Sequence, residues 1–409
     1  VTGSASTEIR GHPGDDPGPG FPGGRIALLG VLTIVAYGSW FYGFGVLIDE
    51  IEAELPGGLA PLTAGYAIAQ VLTGVLGVVV GRMLDRSGAR RPFAVGAAVG
   101  PALLVASTFV DDPWAFALLF GAGGGVVGST AFYHLTQTVS ARLAVGLEAR
   151  AIARLTIWGA FASPILIPVT EVLRAAVGWR DTIRIGALAV AVVLAVAAVF
   201  VDPSGRTASS APTANPLLAV RVALTEPRIR RLALSSLAGS FSMSVLVVLQ
   251  VPMMVAGGLE RSTAAGLAGA RGLAQLLGRL PLGFVLRRWS ARASLRAAKV
   301  AVGVGALLLA GTTSLTVAVL FVLVAGTGIG AVSPLEGIYA REVLPPQDLG
   351  TLMGALHLLL GFAAGLGPVV AGLTVDLTGR TSSGLVLAGI AAFVAAGLLR
   401  RDAGSSTRA

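Results

Sequence analysis

Apolar residues in this chain run on for about 20 positions at a time and are interrupted by short polar clusters, the length a helix needs to cross a hydrocarbon core of roughly 30 Å. These runs predict spans at 26–48, 62–81, 92–110, 114–138, 150–170, 184–201, 232–256, 263–286, 299–314, 315–338, 350–374 and 382–399. The ninth and tenth are divided at Gly311-Thr312-Thr313-Ser314, a break of small polar residues in an otherwise continuous apolar stretch. A buried α/β core is excluded, because its strands need shorter and fewer runs. The expected fold is an all-α membrane protein of twelve transmembrane helices in two six-helix halves, 26–201 and 232–399. A disordered tail (1–25), a linker (202–231) and a second tail (400–409) complete the chain. Two six-helix halves are an architecture of secondary transporters, with the site near the midplane between them.

Composition sharpens this picture. Of 409 residues, 54% are hydrophobic and 12% charged, against roughly 25% charged in a soluble domain, which argues against a soluble enzyme. The 56 glycines sit inside the apolar runs, where they let membrane helices approach closely. With no cysteine and three scattered histidines, no metal site or other cofactor is expected.

The net charge of +9 does not point to nucleic acid, because the charges fall in clusters between spans. With both termini inside, 23 of the 30 Lys and Arg lie in cytoplasmic segments and five, Arg174, Arg180, Arg184, Arg261 and Arg380, lie outside. The other two, Arg271 and Arg279, lie within the eighth span. This bias places both termini in the cytoplasm and, by expectation, the protein in a bacterial inner membrane. The region before the first span lacks the ordered basic, apolar and small-residue parts of a cleaved signal peptide.

Between the second and third spans stands Gly81-Arg82-Met83-Leu84-Asp85-Arg86-Ser87-Gly88-Ala89-Arg90-Arg91. It resembles the cytoplasmic signature of the major facilitator superfamily. The resemblance implies a gating latch formed by Gly81, Asp85, Arg86, Gly88 and Arg90. Gly81 would allow close helix approach, and Asp85 would pair with arginines or cap a neighbouring helix. The loop after the eighth span, Gly283 to Ser290, keeps the glycine and basic pair without the acid. Gly367-Pro368-Val369-Val370-Ala371-Gly372, followed by Asp376-Leu377-Thr378-Gly379, resembles the superfamily's eleventh-span ending.

A narrower resemblance, to the bacterial monocarboxylate and oxalate–formate branch, rests on Phe44-Gly45-Val46, Gly178-Trp179-Arg180 and Gly278-Arg279-Leu280-Pro281-Leu282-Gly283. It implies that Arg279 binds a substrate carboxylate. The chain departs from that branch at Ser140-Ala141-Arg142-Leu143-Ala144, where the branch carries Trp-Phe and more basic residues. In the eleventh span it offers only His357 in place of a basic residue.

Polar residues within the spans supply the candidate chemistry. Arg271, Gln275 and Arg279 recur every four residues and share one helical stripe. Each arginine costs at least ~2.5 kcal/mol at a helix centre, so the stripe must face protein or a water-filled cavity. Arg279 either lines that cavity or snorkels to the cytoplasmic edge. Arg271 either faces the cavity or pairs with an acid from another span. Glu336, beside Pro334, is read as the only deep acid; it either neutralises one of these arginines or pairs with Arg341. His357 titrates near neutrality and is a candidate for coupling as well as for substrate contact. Tyr133 in the fourth span, and Tyr37 and Phe41 one turn apart in a first-span cluster with Trp40 and Tyr42, offer an aromatic wall with hydroxyls.

The reading is alternating-access transport of a small organic anion, a monocarboxylate by resemblance, with the proton as candidate coupling ion. The expected partners are that anion, protons and membrane lipids, with no nucleic acid and no obligate protein partner. The alternatives are proton-driven efflux of drug-like molecules, which the basic stripe disfavours, and a non-transporting sensor or scaffold. Gly121-Ala122-Gly123-Gly124-Gly125 lacks the Lys-Ser/Thr ending of a phosphate loop and reads as a packing surface.

Overall fold

A computed structural model describes residues 21–201, 221–222, 224–344 and 349–399; the side chains of 149, 349–351, 353–355 and 357 also lie outside the described residues. The expected tail segments 1–20 and 400–409, most of the linker 202–231, and the side chain of His357 therefore fall outside the description.

Twelve helical rods follow one another. The first, α1, joins Gly23–Ala36, a π-helical turn Tyr37–Tyr42 and Phe44–Glu54. Next come α2 (Leu59–Ser87), α3 (Arg90–Ser107) and α4, which runs as Pro113–Ala131 and, after a break at Phe132, as Tyr133–Leu143. Glu148–Gly159 and the first part of Ala162–Phe200 make α5; the remainder, beyond Gly178, is α6. The second half holds α7 (Pro227–Ala256), α8 (Arg261–Arg279 and Leu282–Arg288), α9 (Ala291–Ala310), α10 (Leu315–Val343), α11 (Leu349–Thr378) and α12 (Thr381–Leu398). By length and composition, nine described stretches suit a membrane span, and one of them, Arg150–Phe200, contains both α5 and α6. The remaining rods, α3 and α8, carry arginines within their ranges.

The break at 311–314 is present: Ser314 caps α10, its side chain accepting from the Val317 amide. Two boundaries differ from expectation. The loop expected between the fifth and sixth spans shrinks to Gly178, whose φ of 77° turns the chain where a side chain would be strained. As a result Arg174 and Glu171 lie in helix and not in a loop. Second, the Ser290 side chain accepts from the Ala293 amide and starts α9 at Ala291, eight residues early, which moves Lys299 from a basic loop into the bundle.

The halves repeat one packing plan. In the first, α2 packs on α4, α3 on α4 and α6, and α1 on α5; in the second, α8 packs on α10, α9 on α10 and α12, and α7 on α11. Between halves α2 lies along α11, α5 along α8, and the last segment of α1 against α7. We call the end carrying Gly23 and Leu398 proximal and the opposite end distal.

Glycines measure the gap between halves. A Cβ placed on Gly372 would lie 2.7 Å from the Thr63 hydroxyl, and one on Gly365 3.0 Å from the Ala67 carbonyl oxygen. Toward the proximal end the separations widen to 3.7 Å (a Cβ on Gly361 to Gln70) and 3.8 Å (a Cβ on Gly74 to Leu358), and a Cβ on Gly81 would meet nothing outside its own helix within 4 Å among the described residues. The interface is a wedge, tight distally and parted proximally. Polar ties reinforce the tight end: Arg261 donates to Asp49 at 2.7 Å and to the Val46 carbonyl at 3.3 Å. Asp376 accepts from the amides of Leu59 and Ala60.

Candidate functional site

The π-helical turn of α1 carries Tyr-Gly-Ser-Trp-Phe-Tyr, and the Gly43 amide reaches back five residues to Gly38 at 3.1 Å. Such insertions redirect side chains and recur at functional sites. Here the turn packs aromatic rings into one cluster. Tyr37 stacks on Phe132 with centroids 3.7 Å apart and meets Phe41 edge-on at 5.4 Å. Tyr133, placed by the break at Phe132, lies 5.4 Å from Tyr37; Tyr66 of α2 lies 5.7 Å from both Trp40 and Phe41. The expected wall of Tyr37, Phe41 and Tyr133 is therefore brought together, joined by Trp40, Tyr42 and Tyr66.

Facing it is the basic stripe of α8. Arg271 lies ten residues from the distal start of its helix, about 15 Å deep at 1.5 Å per residue, near the middle of a bilayer core. The side chain is completely buried. Its Nε donates to Gln250 Oε1 of α7 at 2.8 Å, while Nη1 and Nη2 have no partner among the described residues. The Tyr66 hydroxyl and Trp40 Nε1 are likewise buried and unpartnered, and Tyr42 and Tyr66 lie within electrostatic reach of Arg271. Four unpaired polar atoms around one aromatic wall constitute an expensive arrangement for an apolar interior unless a polar ligand occupies it.

Arg279, two turns further along, is half-buried and partly satisfied: Nε donates to the Gly330 carbonyl at 3.3 Å and Nη2 to Gln275 Oε1 at 3.2 Å. Arg271, Gln275 and Arg279 thus share the stripe, but only Arg271 presents an empty fork.

Glu336 neutralises neither arginine, nor does it pair with Arg341. Its Oε1 accepts from Lys299 Nζ at 2.7 Å and from the Ser236 hydroxyl at 2.8 Å, joining α10 to α9 and α7. Lys299 takes this acid because α9 begins at Ala291 and carries residue 299 from the expected edge of the ninth span into the bundle. Nor is Glu336 the only deep acid. Glu171 is buried, with Arg174 donating to it at 2.9 Å through two nitrogens and to Glu50 at 2.9 Å through a third. Both acids are thus committed to cations other than Arg271 and Arg279. Gln250 and Tyr66 were overlooked, although each is a polar side chain inside an apolar run.

The residues of the expected latch, Gly81, Asp85, Arg86, Gly88 and Arg90, lie apart from this cluster, at the proximal end. Asp85 pairs with Arg142 of α4, within its own half. Arg86 and Arg90 are exposed, and Gly88, at φ 71°, closes α2.

The sequence profile of the Major Facilitator Superfamily matches residues 232–408. No curated protein matches by sequence. Among solved structures the fold is similar to a mutant of the nucleoside transporter NupG (TM-score 0.76, 17% identity, 92% of this chain and 96% of that one). It is also similar to a bacterial homologue of the human lysosomal transporter Spinster in an inward-facing, unoccupied conformation (TM-score 0.71, 15% identity, 94% and 97%). A third is a POT family transporter in complex with 5-aminolevulinic acid (TM-score 0.69, 13% identity, 91% and 94%). The fold is the one these transporters share, and the superfamily profile matches the second half of the chain.

Proposed function

We propose that the protein carries a small organic anion, a monocarboxylate, across the cytoplasmic membrane by alternating access, with the proximal end in the cytoplasm. The observation that carries this reading is the unpartnered Nη1–Nη2 edge of Arg271 at mid-depth. With Nε engaged by Gln250, that end-on fork is what remains, and it matches one planar carboxylate. A single empty fork, with Arg279 already donating to protein oxygens, favours one carboxylate over two. The Tyr66 hydroxyl and the Trp40 N–H are available for a hydroxyl or keto oxygen, and the rings of Tyr37, Phe41 and Phe132 cover a short apolar body. The halves part toward the proximal side, so the conformation is inward-facing in this reading.

The test is flux into proteoliposomes of set internal pH with labelled lactate, pyruvate, formate, oxalate and a cationic dye. Lactate or pyruvate should enter and be displaced by unlabelled monocarboxylates; movement of the dye alone would establish efflux chemistry instead. Sidedness has its own test, made simple because the chain lacks cysteine. Cysteine at exposed Val145 or Ser290 should resist an impermeant maleimide in intact cells, whereas cysteine at exposed Ala53 or Thr263 should react. The opposite labelling pattern would invert the topology.

A further inference from the structure

The ends of α2 and α11 carry one pattern. Gly81, Asp85 and Gly88 recur at the same spacing as Gly372, Asp376 and Gly379. In both, the last glycine has positive φ, 71° and 66°, and its amide closes the final turn on the residue four before it, Leu84 and Val375. The two helices run antiparallel along each other, so the motif that ends α11 lies beside the first turn of α2, where backbone N–H groups are unsatisfied and the helix dipole is positive.

At the distal end that contact is made. Asp376 Oδ1 accepts from the Leu59 amide and Oδ2 from the Ala60 amide, each at 3.0 Å. The N-terminus of α2 has no side-chain cap of its own, since Gly58 occupies the cap position. Gly58 has φ 76°, and a Cβ there would lie 2.9 Å from the Asp376 carboxylate. At the proximal end the corresponding acid, Asp85, is held by Arg142 in its own half, and a Cβ on Gly81 would meet no described residue of the other half.

We propose that Asp376 is the distal gate residue, a cap supplied by one half to the first turn of the other. When the distal end is shut, Asp376 caps α2; when the distal end opens, the cap is released. This rests on the alternating-access reading but not on the identity of the substrate.

Electron–electron distance measurements on ligand-free protein test it, with spin labels at Ala53 and Thr263 across the distal end and at Val145 and Ser290 across the proximal end. Asp376→Ala should raise the distal-open to distal-closed ratio about five- to thirty-fold, the range expected for loss of a good cap, and should shorten the proximal distance. Gly58→Ala, which pushes the carboxylate away from the other half, should move both distributions the same way. Unchanged distributions in both Asp376→Ala and Gly58→Ala would overturn the proposal. Because no substrate is present, this outcome is independent of the flux panel.

Discussion

Arg271→Gln should weaken monocarboxylate binding by two orders of magnitude or more while making the ligand-free protein more stable. The wild-type guanidinium is fully buried with two nitrogens unpaired, so the empty protein bears a desolvation cost that only a bound anion offsets. Two hydrogen bonds to a charged group, at about 1.5–3 kcal/mol each, correspond to roughly 10²–10⁴ in affinity. Arg271→Lys keeps the charge without the fork and should bind with intermediate strength. Arg279→Gln should lose less, because its nitrogens already donate to Gly330 and Gln275. Titration calorimetry with lactate and pyruvate in lipid nanodiscs measures the affinities, and thermal unfolding without ligand measures the stability. If Arg271→Gln bound normally and Arg279→Gln did not, the carboxylate reader would be Arg279, as the family resemblance implies.

The periodic parts of this architecture were legible in the chain: the apolar runs, the break at 311–314, the four-residue stripe of α8 and the aromatic group of α1. Each depends on residues within a few turns of one another. What was not legible were the charge pairings, because those depend on how helices far apart in sequence are packed. Lys299 reads as one of a run of basic loop residues until Ser290 caps α9 and carries it inward. Glu171 reads as part of a loop until Gly178 compresses that loop to one residue. Gln250, inside Val245–Val251, carries no periodic signal at all, and its importance emerges only from the 2.8 Å contact with Arg271 on the next helix.

These pairings set the electrostatics along the α8 stripe. Had Glu336 balanced an α8 arginine, the site would hold one net cation with its fork filled. With Glu336 on Lys299 and Glu171 on Arg174, the field along the α8 stripe stays positive from Arg271 to Arg279, over eight residues or about 12 Å of rise. An anion entering from the parted proximal side meets the half-buried Arg279 first and the buried Arg271 deeper in. The same field repels an organic cation, which is the electrostatic case against drug efflux.

Breaking the Lys299–Glu336 pair should also have a large effect. Lys299 is 2% exposed and Glu336 21%, and removing one member leaves the other unpaired. Glu336→Leu strands the deeper charge and should cost about 3–5 kcal/mol. Lys299→Met strands a carboxylate that can still reach water or take up a proton, so its cost should be smaller. The double variant Lys299→Met/Glu336→Leu replaces both charges with side chains of similar volume and should return close to wild-type stability, since a buried ion pair is roughly balanced by its own desolvation. Thermal unfolding of the four proteins gives the order, and a double variant less stable than Glu336→Leu would contradict it. Because the pair joins α7, α9 and α10 without touching Arg271, the double variant should bind the monocarboxylate within a few-fold of wild type. A large loss of anion affinity in that folded double variant would return Glu336 to the charge balance of the site.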